Sequence, residues 1–153
     1  AVMGYNLRMT EVAGALGSSQ LKKLDDFIAK RSEITSYFDE RFQNEKLFST
    51  QKLTRGIISA RHLYPIILNQ GLHSSKEDIF KELQKRGLGV QVHYKPIYQN
   101  SFYKEKFGEV SLPVANNFYR SEISIPCNQT MSMEDTKYVA DTLLDILNKY
   151  SNV

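Results

Sequence analysis

HLYPIIL, residues 62–68, is the stretch of sequence that decides the fold. Apolar and β-branched side chains dominate it, which predicts a strand, and Pro65 inside it indicates an edge position or a bulge. A helix follows, capped by Ser74 or Ser75 and ended by Gly87. A strand that leads directly into an amphipathic helix predicts a small sheet with helices packed against it.

The segments on both sides extend this pattern. Thr10 begins a helical region that the apolar spacing carries to about residue 44. Further along, the sequence predicts a strand from Val90 and Val92, short helices at Ser101–Phe107 and Pro113–Ser121, a strand at Ser124–Pro126, and a last helix capped by Ser132 and Asp135. We therefore predict an α+β fold: a small antiparallel sheet of about three strands with helices packed on one side, preceded by a long N-terminal helix.

The composition fits one globular domain of 153 residues, 41% apolar and 24% charged. The net charge is +3 and the basic residues are scattered among acids, so we expect no nucleic-acid partner. No apolar run approaches the ~20 residues that span a bilayer, so we expect no membrane partner. One cysteine cannot form an internal disulfide, which indicates a reducing compartment, the cytoplasm. The sequence opens without an initiator methionine, and we expect a fragment of a longer polypeptide.

Small residues cluster near the start of the predicted long helix. Gly14 and Gly17 each cost roughly 1 kcal/mol in a helix interior, a cost that close packing against another surface offsets. Together with Ala13 and Ala15 they make a smooth surface. Packing within the chain and a contact between subunits are equally good interpretations of it.

The first candidate site precedes this helix. Asn6 and Arg8 place an amide and a guanidinium beside a helix N-terminus, where free backbone N–H groups suit a phosphate or a carboxylate. Helix capping with a surface arginine explains the same residues more simply.

The second candidate is His93, in the segment GLGVQVHYKPIY, residues 87–98. A histidine can act as acid, base or hydrogen-bond donor. Alternation along the predicted strand separates two faces: Val90, Val92 and Tyr94 on one, and Gln91, His93 and Lys95 on the other. His93 is thus predicted to face away from the core, and a solvated polar face is the simpler interpretation.

Other residues predict less chemistry. Cys127 has no activating partner nearby in sequence and is best explained as a small buried thiol. The three histidines lie far apart, which predicts no metal site. Aromatic residues interleave with lysines between residues 94 and 107; they suit base stacking, but a short helix with its aromatic side turned inward explains them better.

Taken together, several stretches resemble the DegT–DnrJ–StrS sugar aminotransferases. The opening GYNLRMTE and the following small-residue helix resemble the start of that family's C-terminal domain, and RHLYPIIL and RGLGVQVHYKPIY resemble its first two strands. SFYKEKFG, LPVANNFYRSEISIPC and MEDTKYVADTL continue the resemblance in order, so that it covers essentially the whole chain. The combination is closest to the branch of the family that serves pseudaminic acid biosynthesis.

The resemblance implies the C-terminal small domain of a fold-type-I, pyridoxal-phosphate-dependent homodimer, over residues 10–153. Residues 1–9 would form a loop that reaches toward the partner's active site. The implied reaction is amination at C4 of a UDP-linked 4-keto-6-deoxy-N-acetylhexosamine, with glutamate as the amino donor. The Schiff-base lysine of the family belongs to the large N-terminal domain, so we expect no catalytic residue in this chain and no activity from it alone.

The resemblance also implies roles for individual residues. Asn6 matches an asparagine that reaches the cofactor phosphate of the neighbouring subunit. Arg8 matches an arginine of the same loop, which would support either that phosphate or the nucleotide diphosphate. His93 matches a histidine at the mouth of the active site, with Tyr94, Lys95 and Tyr98 as further substrate contacts in that segment. Leu7 departs from the aromatic residue that many members carry. A stand-alone nucleotide-sugar-binding or regulatory module without catalysis is the alternative, and a single-strand nucleic-acid binder is the third choice.

Overall fold

The computed structural model describes residues 7–151. Within that range it contains six α-helices and a three-stranded sheet: α1 (Glu11–Leu21), α2 (Leu24–Arg41), β1 (Phe48–Thr50), β2 (Tyr64–Leu68), α3 (Lys76–Lys85), α4 (Ser101–Phe107), α5 (Pro113–Ser121), β3 (Glu122–Ile125) and α6 (Met133–Ser151). Short 3-10 turns lie at Gln70–Leu72 and Ile97–Gln99. The predicted α+β class is confirmed. None of the helices in the described range combines the length and the apolarity needed to cross a bilayer.

The sheet is antiparallel in the order β1-β2-β3. Two of its strands correspond to predictions, but the predicted strand at Val90 and Val92 is wrong: that segment forms only one bridge, between Gln91 and Ser124. β1 takes its place as the third strand. It has three residues, too few to show an alternating pattern in the sequence, so the prediction missed it.

Pro65 lies in the central strand, whereas the sequence predicted an edge position or a bulge. It pairs with Ser124 of β3. On the other side β1 covers β2 only from Ile66 to Leu68. Within residues 7–151, one side of β2 therefore has no neighbouring strand at Pro65, and a residue without a backbone N–H is tolerated there.

One face of the sheet carries the core. Residues paired across antiparallel strands point to the same face, and Ile66 with Ile123 and Tyr64 with Ile125 are such pairs. The same core contains the buried faces of α2, α3 and α6, with Phe38, Leu83, Leu143 and Leu147 among its members. The predicted packing of helices on one side of the sheet is thus observed.

The single helix predicted over residues 10–44 is two helices, with a turn at Lys22 and Lys23. The difference between them is burial. α2 buries Ile34, Thr35 and Phe38 in the core, whereas α1 buries no residue. The apolar spacing runs through the turn because both helices carry apolar residues, so it did not reveal that only one of them packs against this sheet.

α3 ends as its sequence predicts. Gly87 has φ +83°, its N–H donates to the Gln84 carbonyl at 2.9 Å, and the next N–H, of Leu88, donates to the Leu83 carbonyl at 3.1 Å. This pair of hydrogen bonds is a Schellman motif, and the buried Leu83 and Leu88 side chains provide its usual apolar contact. The motif turns the chain into the segment that crosses the sheet.

The start of α6 also confirms its prediction. The Asp135 backbone N–H donates to Ser132 Oγ at 3.0 Å, and the Ser132 backbone N–H donates to Asp135 Oδ2 at 2.8 Å. The two residues thus satisfy each other's free donors as a capping box. The Ser132 hydroxyl, at 2.7 Å, and the Ser132 backbone N–H both donate to Oδ2 and lower the pKa of the Asp135 carboxyl. Thr10 caps α1 in the predicted manner, accepting from the Ala13 N–H at 3.3 Å.

Arg31 of α2 connects this helix to the segments next to β2 and β3. Its Nη1 donates to the carbonyls of Arg61 at 3.3 Å, His62 at 3.0 Å and Cys127 at 2.7 Å, and its Nη2 donates to Gln129 Oε1 at 2.9 Å. The two carbonyls before β2 and the one after β3 lie far apart in sequence. A planar guanidinium fork holds all of them against α2 at once.

We expect Gly87→Ala to lower the free energy of unfolding by about 1 kcal/mol. A Cβ at residue 87 meets no atom within 4 Å, so the cost comes from the left-handed backbone and not from a clash. Urea denaturation followed by circular dichroism measures it. Gly89→Ala is the matched control, since Gly89 is equally uncrowded without a positive φ. An equal loss in both variants would contradict the assignment.

We expect Arg31→Lys to cost about 2 kcal/mol of unfolding free energy, although the charge is retained, because an ammonium cannot reach the same set of acceptors and leaves carbonyls without donors. Arg41→Lys is the control: Arg41 makes one exposed ion pair, to Asp141 at 3.2 Å, and should change stability by less than about 0.5 kcal/mol. Equal unfolding midpoints for the two variants would show that the fork geometry is unimportant.

Candidate functional site

A closed set of hydrogen bonds lies on the face of the sheet opposite the core. His93 Nδ1 is 2.8 Å from Ser124 Oγ, and Ser124 Oγ donates to Glu122 Oε1 at 2.6 Å. The backbone N–H of His93 donates to the other carboxylate oxygen, Oε2, at 2.8 Å. Glu122 and Ser124 are alternate residues of β3, so both point to the same face, and they hold the histidine by its ring and by its backbone.

Glu122 is buried to 1% exposure although it carries an acidic side chain. The carboxylate is kept there by the two donors just described and by the field of Lys76 at the start of α3. Burial lowers the pKa of the Lys76 ammonium, and the Glu122 carboxylate opposes that effect. Lys76 Nζ also donates to the Tyr119 carbonyl at 2.5 Å. The buried acid is thus compensated by two hydrogen-bond donors and a nearby ammonium.

The face that the sequence assigned to His93 needs correction. Strict alternation predicted a solvated face with Lys95, but the His93 ring is only partly exposed and is bonded to β3. Tyr94, predicted on the core side, is 75% exposed. The alternation fails because only Gln91 of this segment pairs with the sheet, so the residues after it do not follow a strand's period.

His93 lines a cleft of about 560 Å³ at the end of β3. The cleft lies between the end of α3, the segment around His93 and the start of α6, and its other polar lining residues include His62, Gln91, Ser124, Asn128 and Asp135. None of the described lining residues is a lysine or an arginine. Pyridoxal phosphate requires an amine for its aldehyde and cationic or N–H donors for its phosphate, so these residues alone do not fit that cofactor.

The other predicted site residues are spread out. Asn6 lies outside the described residues, and Arg8 is exposed just before α1. Lys95 is exposed beside Tyr94, whereas the Tyr98 hydroxyl donates to Asn116 Oδ1 of α5 at 2.8 Å. The described structure therefore brings none of them into the hydrogen-bonded set around His93, although Tyr94 contacts its ring edge-on at a centroid distance of 4.8 Å.

Two apolar surfaces remain uncovered within the described range. Val12 and Leu16 of α1 are 79% and 61% exposed, so the small-residue surface of α1 does not pack within this part of the chain. Phe102 and Phe107 of α4 are likewise exposed, so the prediction that the aromatic side of this helix faces inward is wrong. Large exposed apolar side chains in one region are typical of an interaction surface.

Glu122 and Ser124 were missed as functional residues. Ser124 was predicted only as part of a short strand, and Cys127 was the one residue of that segment considered for chemistry. The one indication in the sequence was the acid that begins EISI, residues 122–125. In the structure all four residues of this strand are buried. Only the crossing of β3 by the His93 segment gives that acid a role.

Cys127 is buried, as predicted. Burial raises the pKa of its thiol, and the nearby Arg31 and Arg61 guanidinium groups oppose this effect. The thiol lies near the Arg61 carbonyl oxygen, with Sγ at 3.7 Å. A protonated, buried thiol is a packing residue and not a nucleophile.

Comparison with known sequences identifies related proteins. The family model described as the DegT/DnrJ/EryC1/StrS aminotransferase family matches residues 1–144. A UDP-4-amino-4,6-dideoxy-N-acetyl-beta-L-altrosamine transaminase of Campylobacter jejuni (strain 81-176) is 52% identical over 147 residues, which is 96% of this chain and 39% of that protein. The transaminase of the same name from Helicobacter pylori (strain 26695) is 36% identical over 148 residues, 97% of this chain and 40% of that one.

Comparison with solved structures also identifies aminotransferases. Helicobacter pylori PseC, described as an aminotransferase involved in the biosynthesis of pseudoaminic acid, superposes with a TM-score of 0.91 at 36% identity, covering 97% of this chain and 40% of that one. The PLP form of Spr1654 from Streptococcus pneumoniae superposes with a TM-score of 0.87 at 27% identity, covering 94% of this chain and 37% of that one. The chain thus spans about two-fifths of the length of these relatives.

We expect iodoacetamide to alkylate Cys127 more slowly in the folded chain than in the same chain in urea at mildly alkaline pH, as measured by mass spectrometry. Burial raises the pKa of the Cys127 thiol in the folded chain, so folding favours the protonated thiol. The resulting contribution to stability is present below the pKa of this thiol in the unfolded chain, and it is lost as the pH rises through its pKa in the folded chain. Equal rates in the two samples would contradict a buried, protonated thiol.

Proposed function

The chain belongs to the DegT/DnrJ/EryC1/StrS aminotransferase family, and we propose that it is the C-terminal part of an enzyme that aminates C4 of a UDP-linked 4-keto-6-deoxy-N-acetylhexosamine. The observation that carries this proposal is the 52% identity, over 96% of the chain, to a UDP-4-amino-4,6-dideoxy-N-acetyl-altrosamine transaminase. Glutamate is the proposed amino donor, pseudaminic acid biosynthesis the proposed pathway and the cytoplasm the proposed location.

In this proposal the catalytic site is assembled from more than the described residues. Pyridoxal phosphate, when bound, supplies the electron sink for transfer of the amino group. Among the described residues that line the cleft there is no lysine or arginine to supply the amine and the cations that this cofactor requires, which supports a division in which the large domain of the enzyme holds it. This chain then supplies groups for binding and orienting the substrate.

The proposed substrate contacts are the His93 ring, the exposed Tyr94 and Lys95 side chains, and Tyr98. Tyr94 and Lys95 are exposed, whereas the Tyr98 hydroxyl is already hydrogen-bonded to Asn116 and is less available to a substrate. An exposed ammonium such as that of Lys95 suits the diphosphate of a UDP-sugar. Asn6 and Arg8 are proposed to reach the cofactor phosphate in the partner subunit of a homodimer.

The uncovered apolar surfaces support the same assembly. α1 exposes Val12 and Leu16, and the helix α4 exposes Phe102 and Phe107. We propose that the large domain and the second subunit cover these surfaces in the complete enzyme. Since cofactor and substrate groups are then divided between polypeptide segments, the chain alone is expected to have no aminotransferase activity.

A chimera tests the proposed function. The segment of the Campylobacter jejuni transaminase that aligns with this chain is replaced by this chain, and conversion of the UDP-4-keto sugar to its 4-amino product is followed by mass spectrometry with pyridoxal phosphate and glutamate. We expect the chimera to turn over and the isolated chain to give no product. The native relative is the positive control.

Two results would contradict the proposal. A chimera that is folded and dimeric but inactive would show that this chain does not fit the proposed reaction. Turnover by the isolated chain would show that the site is complete without the large domain. Tight UDP binding by the isolated chain, weakened by Lys95→Ala, together with an inactive chimera would favour the stand-alone binding module.

A further inference from the structure

The hydrogen bonds around His93 run in one direction. A carboxylate only accepts hydrogen bonds, so both oxygens of Glu122 must receive donors, and they receive the His93 backbone N–H and the Ser124 hydroxyl. Ser124 has one hydroxyl proton and donates it to Glu122. Its oxygen can therefore interact with His93 Nδ1, at 2.8 Å, only as an acceptor.

This direction determines the tautomer of the imidazole. Nδ1 must carry a proton to donate to Ser124 Oγ, so in the neutral ring the lone pair is on Nε2. Nε2 lies on the opposite edge of the ring from Nδ1, and among residues 7–151 no hydrogen bond to it is observed. The ring lines the 560 Å³ cleft and is partly exposed, so this nitrogen remains available to a ligand.

We propose that Glu122 and Ser124 are positioning residues that hold His93 with its proton on Nδ1, so that Nε2 accepts a hydrogen bond from a hydroxyl of the sugar in the nucleotide-sugar substrate. The ligand half of this inference rests on the proposed function. It assigns His93 to the sugar and not to the diphosphate, because a neutral Nε2 lone pair accepts protons and a phosphate oxygen has none to offer at neutral pH. The exposed Lys95 is the group suited to the diphosphate.

The burial of Glu122 favours a positioning role. An acid that is 1% exposed loses its hydration, and an apolar residue in β3 would pack there without that cost. Both oxygens are instead used to hold one short segment, through its backbone and, by way of Ser124, through its ring. This arrangement controls both the location and the protonation of the imidazole, which packing alone does not do.

Nitrogen-15 NMR of the histidine side chains in this chain tests the positioning half directly. Above the pH range in which imidazole titrates, the resonances of His93 should show a proton on Nδ1 and an unprotonated Nε2. In Ser124→Ala that preference should be lost, with Nε2–H becoming the major form, as in free histidine. Ser124→Thr keeps the hydroxyl and should restore Nδ1–H.

Glu122→Gln extends this test. An amide can donate as well as accept, so Ser124 is no longer required to give its proton to residue 122, and the fraction of Nδ1–H should fall. Glu77→Gln is the matched control, since Glu77 is exposed and forms an ion pair with Lys81 at 2.6 Å. If Glu122→Gln does not fold, Ser124→Ala still decides the outcome. An Nε2–H tautomer in the unaltered chain, or Nδ1–H retained in Ser124→Ala, would overturn the inference.

Binding to the chimeric enzyme tests the ligand half, with UDP and UDP-N-acetylglucosamine as probes. We expect His93→Ala to weaken binding of UDP-N-acetylglucosamine about fivefold, the value of one hydrogen bond, and to leave UDP binding unchanged. Ser124→Ala should have a smaller effect of the same kind. Equal weakening of both probes would assign His93 to the nucleotide diphosphate and overturn the ligand half.

Failure of the proposed function would give a different pattern. If the unaltered chimera binds neither probe, the nucleotide-sugar assignment falls and takes the ligand half with it. The NMR result for His93 then still decides whether Glu122 and Ser124 set its tautomer.

Discussion

The antiparallel pairing of β2 with β3 is the constraint on which the rest of the structure depends. With Ile66 opposite Ile123 and Tyr64 opposite Ile125, these four residues point to the core face, which α2 and α6 cover. Because side chains alternate along a strand, Glu122 and Ser124 then point to the other face. A slip of one residue would place the acid in the apolar core and the isoleucines on the polar side. The register that builds the core thus also builds the support for His93.

The polar contacts around this sheet attach neighbouring segments to it. Arg31 joins α2 to the backbone before β2 and after β3. Asp39 of the same helix accepts from the Tyr64 hydroxyl at 2.7 Å and pairs with Arg61, and burial together with this acid raises the pKa of Tyr64. Glu122 attaches the His93 segment in the same way. Single side chains that each make several hydrogen bonds hold these segments in place, as backbone hydrogen bonds hold the strands of the sheet.

Helix ends were the most predictable part of the fold. Gly87, the pair Ser132 and Asp135, and Pro113 at the first turn of α5 act on backbone groups only a few residues away, so their effect can be deduced from neighbouring letters. The strands were less predictable. β1 is too short to show an alternating pattern. Val90 is of a residue type that is common in strands, but its segment forms only one bridge to the described sheet. Whether an apolar segment pairs depends on a partner strand, and its own residues do not specify that partner.

The candidate site was predicted only in part. The type and neighbourhood of His93 were evident in the sequence, but its orientation was not, because alternation holds only while a segment remains paired with a sheet. The exposure of α1 was equally hidden, since its apolar residues have the spacing of a packed helix although it buries none in the described chain. Apolar periodicity predicts that one face of a helix is apolar, but it does not predict which part of the protein covers that face.

The sequence by itself determined most of the helices, the caps at Thr10, Gly87 and Ser132, the α+β class, the buried thiol and the likeness to a family of aminotransferases. Each of these follows from local chemistry or from the order of motifs along the chain. The tertiary structure alone decided which strands pair and where the helical region divides. It also brings His93 to the acid of Glu122, 29 positions away in the sequence, and to the hydroxyl of Ser124, 31 positions away. The physical reason is that a hydrogen bond between distant residues depends on the register of β2 with β3 and on the path of the chain across it, and both are properties of the assembled sheet.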